Sequence, residues 1–341
     1  MINYVSIKNY KSIKNLNLKA KRINVFIGEH NSGKSNILEA LSWFSVNALD
    51  KKNFSQLFRY KSVGNFFYDF DGTQVIEITT DELSLKIRYA RNQQGALLNY
   101  FEGIIYETSK KMISEKEWPY EDLEVVNFRL DIPLNEILDV KGQFNSNFRA
   151  YSFKRLQKFE MNYRNFLNPP FGENIPNILQ SNKDWKQLVS DFFKSKGFRL
   201  VVKPTENEIE MAKDVNDELY SFPYPTISET MQRFVFLLLA LESNTNSILI
   251  LDEPESNMFP FFVKDFAERI TNNEGNQYFI ATHNPYLLSS LLEKSPLNDI
   301  AIFVTHMKNF ETKVVSCDKE QINELISLGS GIFFNLDNIL I

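Results

Sequence analysis

The chain has 341 residues and a net charge of −5, with 43% hydrophobic and 24% charged residues, which is the composition of a globular protein with a sizeable core. Its single cysteine, Cys317, excludes an intrachain disulfide and a cysteine-based zinc cluster. No apolar run approaches the roughly 18 residues of a membrane-spanning helix, and the first residues lack a signal-peptide pattern. We therefore expect no membrane partner and a cytoplasmic location.

The first strands are predicted from alternating apolar and polar residues. The alternation runs from Ile2 to Lys8, passes through Tyr10–Ile13 and continues to Leu18. It predicts two short strands that deliver the chain to an apolar strand over Ile23–Ile27.

A loop that can hold phosphate follows this third strand. The run Gly28–Ser35 has the spacing G-x-x-x-x-G-K-S and precedes a helix predicted over Asn36–Phe44. Such residues also form ordinary surface turns, but here a strand and a helix flank them, as a phosphate loop requires. Lys34 would reach the β- and γ-phosphates of a nucleotide, and Ser35 would ligate magnesium. The nucleotide-binding candidates are Gly28, Glu29, His30, Asn31, Ser32, Gly33, Lys34, Ser35 and Asn36.

Three segments after the phosphate loop alternate with period two around turn residues. They are Val75–Thr79, Leu83–Tyr89 and Ala96–Ile105. This pattern predicts an antiparallel sheet beside the nucleotide-binding core.

The pattern changes between Tyr106 and Phe222. Helices are predicted over Tyr151–Leu167 and Trp185–Lys196, and a small hairpin is predicted about Pro204–Asn207. We therefore expect a mostly helical insertion between the two ends of the chain.

A second element of a nucleotide site lies in the last third of the chain. Ser247–Glu253 is an apolar run that ends in two adjacent carboxylates and reads as a buried parallel strand. The carboxyl end of such a strand is where an α/β sheet places its ligand. Asp252 would hold magnesium and Glu253 would orient the attacking water, whereas the alternative is a core strand that runs into an acidic turn.

Helices and strands alternate around this element. Helices are predicted over Met231–Leu241 and Phe261–Thr271. Strands are predicted over Gln277–Ala281, Ile300–Thr305 and Lys313–Ser316. Both nucleotide motifs must therefore fold onto one sheet.

His283 and Ser228 are two further candidates. His283 follows the strand that comes after the Asp252–Glu253 strand, although a lone loop histidine is commonly structural. Ser228 is a good N-cap for the helix before that strand. Besides capping, this helix start could present N–H groups and a hydroxyl to a phosphate on another subunit.

In this order the motifs resemble those of the ABC-type ATPases of the SMC, RecF and overcoming-lysogenisation-defect group. Asn9–Ser12 is similar to the opening N-[FY]-[KR]-S element, and Gly28–Ser35 to the Walker A loop. Ile227–Arg233 is similar to the signature, Leu249–Pro254 to Walker B, and Thr282–His283 to the switch histidine.

The resemblance implies an α/β P-loop ATPase head with an antiparallel β subdomain and a mostly helical insertion. Residues 1–105 would form an ATPase lobe with Walker A and the β subdomain. Residues 106–222 would form the insertion, and residues 223–341 a second lobe with the signature, Walker B and the switch histidine.

The resemblance also implies ATP and Mg²⁺ as cofactors, bound between two heads arranged head to tail. Ser35 and Asp252 would hold the metal, Glu253 would be the general base, and His283 would sense the γ-phosphate. Lys11 would add a phosphate contact from the first strands. The residues that would act on the partner's nucleotide are Ser228, Glu229 and Thr230.

The chain departs from the family pattern at two places. Thr230 stands where the signature has glycine, which matters for close approach to the partner's phosphate. The D-E-P-E-A-H-L-H-P stretch retains both carboxylates, but Asn257 and Phe259 replace its histidines. Gln56 and Gln74 are both candidates for the glutamine that contacts magnesium.

The size of the chain narrows the resemblance. The lack of sustained heptads predicts no coiled-coil arm, and no acidic metal cluster is available for a fused nuclease. What remains resembles the stand-alone ATPases encoded beside a toxin or nuclease in bacterial anti-phage systems such as PARIS and Septu. We expect a slow, homo-oligomeric ATPase switch that controls a nuclease or toxin effector encoded nearby.

Two alternatives stay open. One is a nucleotide-dependent scaffold that does not hydrolyse, suggested by Thr230. The other is a RecF-like ATPase in DNA repair or recombination, for which DNA is a possible partner; a solvated charged face would explain the same residues. The basic residues in question are Lys8, Lys11, Lys14, Lys19, Lys21, Arg22, Arg149, Lys154, Arg155, Lys158 and Arg164.

Overall fold

The structure is a computed structural model that describes residues 1–48, 54–91, 97–109, 126–131, 136–141 and 146–334. Within these residues the strands form three sheets. The strands in chain order are β1 (Tyr4–Tyr10), β2 (Ile13–Lys19), β3 (Ile23–Gly28), β4 (Ile76–Thr80), β5 (Leu83–Arg91), β6 (Leu97–Glu107), β7 (Val126–Asp131), β8 (Glu136–Lys141), β9 (Phe148–Tyr151), β10 (Arg199–Lys203), β11 (Glu208–Val215), β12 (Glu218–Pro223), β13 (Ile248–Asp252), β14 (Gln277–Ala281), β15 (Ile300–Lys308) and β16 (Glu311–Ser316).

The helices connect these strands along the sequence. They are α1 (Lys34–Ser42), α2 (Phe54–Leu57), α3 (Ile175–Ser181), α4 (Lys183–Lys194), α5 (Glu229–Glu242), α6 (Pro260–Asn272), α7 (Pro285–Lys294) and α8 (Lys319–Leu328). Short 3₁₀ segments lie at Trp43–Ala48, Val63–Phe66, Tyr68–Phe70, Tyr224–Thr226 and Gly329–Phe334. None of the helices in the described ranges is long and apolar enough to cross a bilayer.

The central sheet has the order β16-β15-β3-β14-β13-β9. Strands β15, β3, β14, β13 and β9 run parallel, and β16 pairs antiparallel with β15. The register aligns Asp252 with Ala281 and Gly28 with Thr305. Because the carboxyl ends of parallel strands meet at one edge, the chain segments after Gly28, Asp252 and Ala281 emerge side by side.

Alternate residues of the central sheet face two hydrophobic cores. Val25, Leu251 and Ile280 face one core, which is closed by helices α5, α6 and α7. Phe26 and Ile250 face the other, between α1 and the antiparallel sheet. The near-continuous apolar sequence of β3 and β13 follows from this burial on both faces.

The antiparallel sheet predicted beside the core is present, with the order β2-β1-β4-β5-β6-β7-β8. The third predicted strand starts at Ala96, which lies outside the described residues, and β6 covers Leu97–Glu107. The predicted hairpin is confirmed as β10 and β11, to which β12 adds a third strand. Helix α4 confirms the helix predicted over Trp185–Lys196, with its bounds shifted by two residues.

The helix predicted over Tyr151–Leu167 is wrong. Tyr151 ends strand β9, and residues 152–167 form no helix. The apolar residues of this segment dock one by one, since Phe153 packs on Phe236 and Phe159 on Tyr224. The described residues of the insertion hold helices α3 and α4 but also strands β7 to β12, so strands contribute more there than the pattern indicated.

Candidate functional site

The loop after β3 is shaped by two glycines that pack against neighbouring strands. Gly28 has φ 144°, and a Cβ there would lie 2.1 Å from the Thr305 carbonyl oxygen. Gly33 has φ 97°, and a Cβ there would lie 1.9 Å from Thr312 Oγ1. Since an L side chain at either position would be strained in its backbone and collide with β15 or β16, glycine is required at both. The loop therefore fits closely over the last two strands of the sheet.

Lys34 opens helix α1 and points back into this loop. Its Nζ donates to the carbonyls of Gly28, at 2.9 Å, and Glu29, at 2.7 Å. Burial lowers the pKa of Lys34 to about 8, against the opposing charges of Glu253, Asp252 and Glu29. A cation thus lies beside the two carboxylates at the end of β13.

Ser35 and Asp252 meet at the same edge of the sheet. The Ser35 hydroxyl donates a hydrogen bond to the Asp252 carboxylate, and Asp252 is exposed at the end of β13. Desolvation raises the pKa of Asp252, and this hydrogen bond and the charges of Arg59 and Lys34 oppose the rise. A hydroxyl and a carboxylate are the hard oxygen donors that Mg²⁺ takes in phosphate sites. No described residues form a cluster of three or more metal-ligating acids, histidines or cysteines, so nucleotide oxygens and waters would complete the coordination.

Glu253 and His283 lie on adjacent loops and touch. The Glu253 backbone is left-handed, with φ 46°, and its N–H donates to the Ala281 carbonyl at 2.9 Å. Its Oε1 lies 3.0 Å from His283 Nε2, and the His283 ring stacks on His30 with centroids 4.3 Å apart. Burial and the nearby Lys34 charge lower the pKa of His283. A neutral His283 then donates its Nε2 hydrogen to the Glu253 carboxylate.

Glu255 is a buried carboxyl next to Thr282 and His283, and the sequence patterns did not indicate it. It accepts a hydrogen bond from the Thr282 hydroxyl and another from the His283 backbone N–H. Burial raises its pKa to about 7. Glu255 therefore fixes the loop that carries His283 to the turn that carries Glu253.

The structure does not bring the Lys11 ammonium into the cleft. Its side chain is 10% exposed and pairs with Glu39 of α1, and its Nζ also donates to the Arg59 carbonyl at 2.7 Å. Burial lowers the pKa of Lys11. Its phosphate contact remains a prediction.

Among the described residues, Arg59 lines the cleft as a second cation besides Lys34, and the sequence patterns did not predict it. It is 60% exposed, and its Nε lies 3.2 Å from Glu39 Oε2. Its guanidinium also donates to Asn36 Oδ1 at 3.4 Å. No motif surrounds Arg59 in the sequence, so only its fold neighbours reveal it.

The phosphate loop and the two loops that follow β13 and β14 enclose a cleft of about 310 Å³, which is the size of a small-ligand site. Its walls are loop residues 30–36, Glu253 and His283, with Ser12, Arg59 and Met307 completing them. Neither Gln56 nor Gln74 is among the lining residues, and Gln56 contacts Lys154 instead.

Ser228, Glu229 and Thr230 open helix α5 and do not line this cleft. Ser228 Oγ caps the helix by accepting from the Met231 N–H at 3.4 Å. Glu229 Oε1 lies 3.1 Å from the Arg233 guanidinium, which lowers the pKa of Glu229. The helix start therefore presents a polar, partly exposed surface away from the chain's own phosphate loop.

The fold and the loop together define an ABC-type P-loop nucleotide-binding head. Residues 23–289 match the family described as "AAA domain, putative AbiEii toxin, Type IV TA system". The chain belongs to this family.

Individual relatives agree with this class. An ATP/GTP phosphatase of Helicobacter pylori is 22% identical, over 85% of this chain and 87% of that protein. The DNA replication and repair protein RecF of Clostridium tetani is 25% identical, over 52% of this chain and 47% of that protein. The structure of an SMC head bound to the C-winged helix domain of ScpA superposes with a TM-score of 0.50 and 16% identity, covering 95% of this chain and 99% of that chain. The predicted fold class is confirmed.

Proposed function

We propose that the chain is a slow ATPase that works as a molecular switch, with two heads arranged head to tail around ATP and Mg²⁺. One observation carries this proposal: Lys34, the Ser35–Asp252 pair and the Glu253–His283 pair converge at one edge of the sheet. Phosphoryl transfer to water needs positioning and charge stabilisation more than covalent chemistry. These residues supply both.

Each side chain has a part in this mechanism. The loop N–H groups and Lys34 would bind the phosphates, and Ser35 and Asp252 would hold Mg²⁺, which neutralises charge on the phosphoryl oxygens. Glu253 would take a proton from the attacking water. His283 would hold the Glu253 carboxylate and contact the γ-phosphate. Ser228–Thr230 of the other head would cover the nucleotide. A single head lacks this cover, so hydrolysis would be slow until two heads meet.

The test replaces Glu253 with Gln, which keeps the shape of the side chain and removes the base. We expect ATP turnover to fall by about 100-fold or more, while MgATP binding persists and an ATP-bound dimer accumulates. Phosphate release and light scattering after size exclusion measure the two effects.

Glu293→Gln is the matched control, because Glu293 is an exposed carboxylate on α7, away from the cleft. It should hydrolyse ATP at the wild-type rate. Full turnover by Glu253→Gln would remove Glu253 as the base, and a wild-type chain that binds ATP without releasing phosphate would favour the scaffold alternative.

The switch is proposed to control a nuclease or toxin effector in anti-phage defence. The family description associates this AAA domain with a type IV toxin–antitoxin system, which supports a place in a toxin-based system. Copurification of the product of the neighbouring gene, with and without ATP, tests it, and a partner that binds equally in both conditions would contradict a switch.

A RecF-like role on DNA is the second candidate, and the similarity to RecF over 185 residues favours it. Two of the basic residues that the sequence offered for DNA binding are engaged within the protein. Lys21 donates to two backbone carbonyls at 2.8 Å, and Arg22 pairs with Asp299 at 3.3 Å. Salt-dependent binding of duplex DNA would support the repair role.

A further inference from the structure

The two places at which the chain departs from the family pattern lie in contact with each other. Thr230 replaces the signature glycine, and Asn257 replaces the first histidine after Walker B. The Thr230 hydroxyl donates to the Asn257 carbonyl at 3.1 Å, and the Asn257 side-chain amide donates to Glu229 Oε1 at 3.4 Å. The departures therefore form one connection between helix α5 and the turn after β13.

The turn after β13 also carries Glu253, and its first residues are held by hydrogen bonds to β14 and to the residue after it. The Glu253 N–H donates to Ala281 on β14, and Glu255 is held by Thr282. The far end reaches Asn257, which is left-handed with φ 58°, a conformation that Asn tolerates. Among the described hydrogen bonds, those that join Asn257 to another element run to Glu229 and Thr230.

We infer that the Thr230 hydroxyl is a positioning group that keeps the Ser228–Thr230 surface and the Glu253 turn in one fixed relation. This rests on the proposed function, in which Ser228–Thr230 contact the partner's nucleotide and Glu253 acts on the nucleotide of its own head. When the partner's nucleotide binds the start of α5 and shifts it, Glu253 of the head that carries this α5 moves with it. The two sites of the dimer communicate through Thr230.

A positioning role differs from a stabilising one at this location. Asn257 is exposed and Thr230 is only partly buried, so water can replace the hydroxyl at the Asn257 carbonyl. Loss of the hydroxyl should therefore leave the stability of the fold nearly unchanged. It should loosen the turn and misplace Glu253, and small misplacements of a catalytic group cost rate steeply.

The experiment compares Thr230→Val, which keeps the side-chain shape without a donor, with Thr230→Ser, which keeps the hydroxyl. For Thr230→Val we expect kcat to fall about tenfold, and the Hill coefficient for ATP to fall toward one. The MgATP affinity of the isolated head should stay at the wild-type value, because the Lys34 loop is untouched. The unfolding temperature should also stay at the wild-type value, because water can replace the lost hydroxyl. Thr230→Ser should recover most of the rate that Thr230→Val loses, because it keeps the hydroxyl that donates to the Asn257 carbonyl.

Thr230→Gly separates this inference from the opposite interpretation, in which the threonine merely obstructs the partner's phosphate. That variant restores the residue of the family pattern but removes the hydroxyl. We expect it to be as slow as Thr230→Val. A glycine variant as fast as wild type, a valine variant at full rate, or a serine variant as slow as valine would each overturn the positioning role.

The outcomes also separate this inference from the proposed function. Slow Glu253→Gln together with a fully active Thr230→Val overturns only the positioning role. A wild-type chain that hydrolyses no ATP overturns both.

Discussion

At the scale of single residues, the Lys34 ammonium is a group whose charge state depends on burial. Two backbone carbonyls, of Gly28 and Glu29, hold it inside the loop, and burial lowers its pKa to about 8. In the proposed function the protonated form would bind phosphate, and the neutral form would lack the charge to do so. Above this pKa the loop would lose that charge.

MgATP affinity should therefore fall as the pH rises. Because the pKa of Lys34 in the free protein is about 8, the charged fraction drops about 25-fold between pH 7.5 and pH 9.5, and the affinity should drop with it. Equilibrium titrations at pH 7.5, 8.5 and 9.5 measure this. Lys34→Arg keeps its charge over this range and should show a flat profile; a flat profile in the wild type would contradict the lowered pKa.

Sequence patterns predicted the phosphate loop, Glu253 and His283, which the structure places together around one cleft, whereas Lys11 and Ser228–Thr230 do not line it. The patterns did not predict Arg59 or Glu255. Arg59 comes to the cleft through its contacts with Glu39 and Asn36. Glu255 acquires its raised pKa from burial against Thr282. Both properties arise from neighbours distant in sequence, which a local pattern does not contain.

At the scale of elements, the phosphate loop depends on strand β15 as much as on its own sequence. Gly28 lies opposite Thr305 in the register, and the Ser32 hydroxyl lies 2.7 Å from Thr305 Oγ1. The loop and β15 therefore form one packed unit, in which Gly28 leaves no room for a side chain.

Gly28→Ala should destabilise the fold by about 3 kcal/mol or more, because the new methyl group would meet the Thr305 backbone at a positive φ. Urea unfolding measures the change. Gly275→Ala is the control, since its Cβ would have Asn273 Oδ1 as nearest neighbour at 3.5 Å, an ordinary contact. Equal stabilities for the two variants would show that the loop can move away from β15.

The predicted bounds of helices and strands were correct where a hydrophobic pattern extends over the whole element. They were wrong where each apolar residue packs against a different neighbour. Strands β13 and β14 and helix α6 follow their predicted bounds within a residue or two, because each has a continuous buried face. The segment after Tyr151 has helix-like spacing, but its aromatic rings fill separate gaps beside α5 and Tyr224. Strand β9 takes its place in the sheet from pairing with β13, which is not visible locally.

At the scale of the whole molecule, the central sheet interleaves the two ends of the chain. Strand β3 comes from the first 30 residues, yet its partners on both sides, β14 and β15, come from the last third. Each hydrophobic core likewise combines residues from both ends, such as Phe26 with Phe303. The insertion between them leaves this arrangement intact, because β9 adds only at the edge of the sheet.

The position of β3 sets an order of events during synthesis. A ribosome that has made the Walker A loop must make about 270 further residues before Lys308 completes β15. We therefore expect a nascent chain to have no formed pocket that ATP could stabilise. A fragment of residues 1–222 should therefore bind no fluorescent ATP analogue, while the full chain binds it. Adding residues 223–341 as a separate fragment should restore binding, and binding by residues 1–222 alone would contradict this order. We therefore expect nucleotide to act on this protein only after β15 has been made.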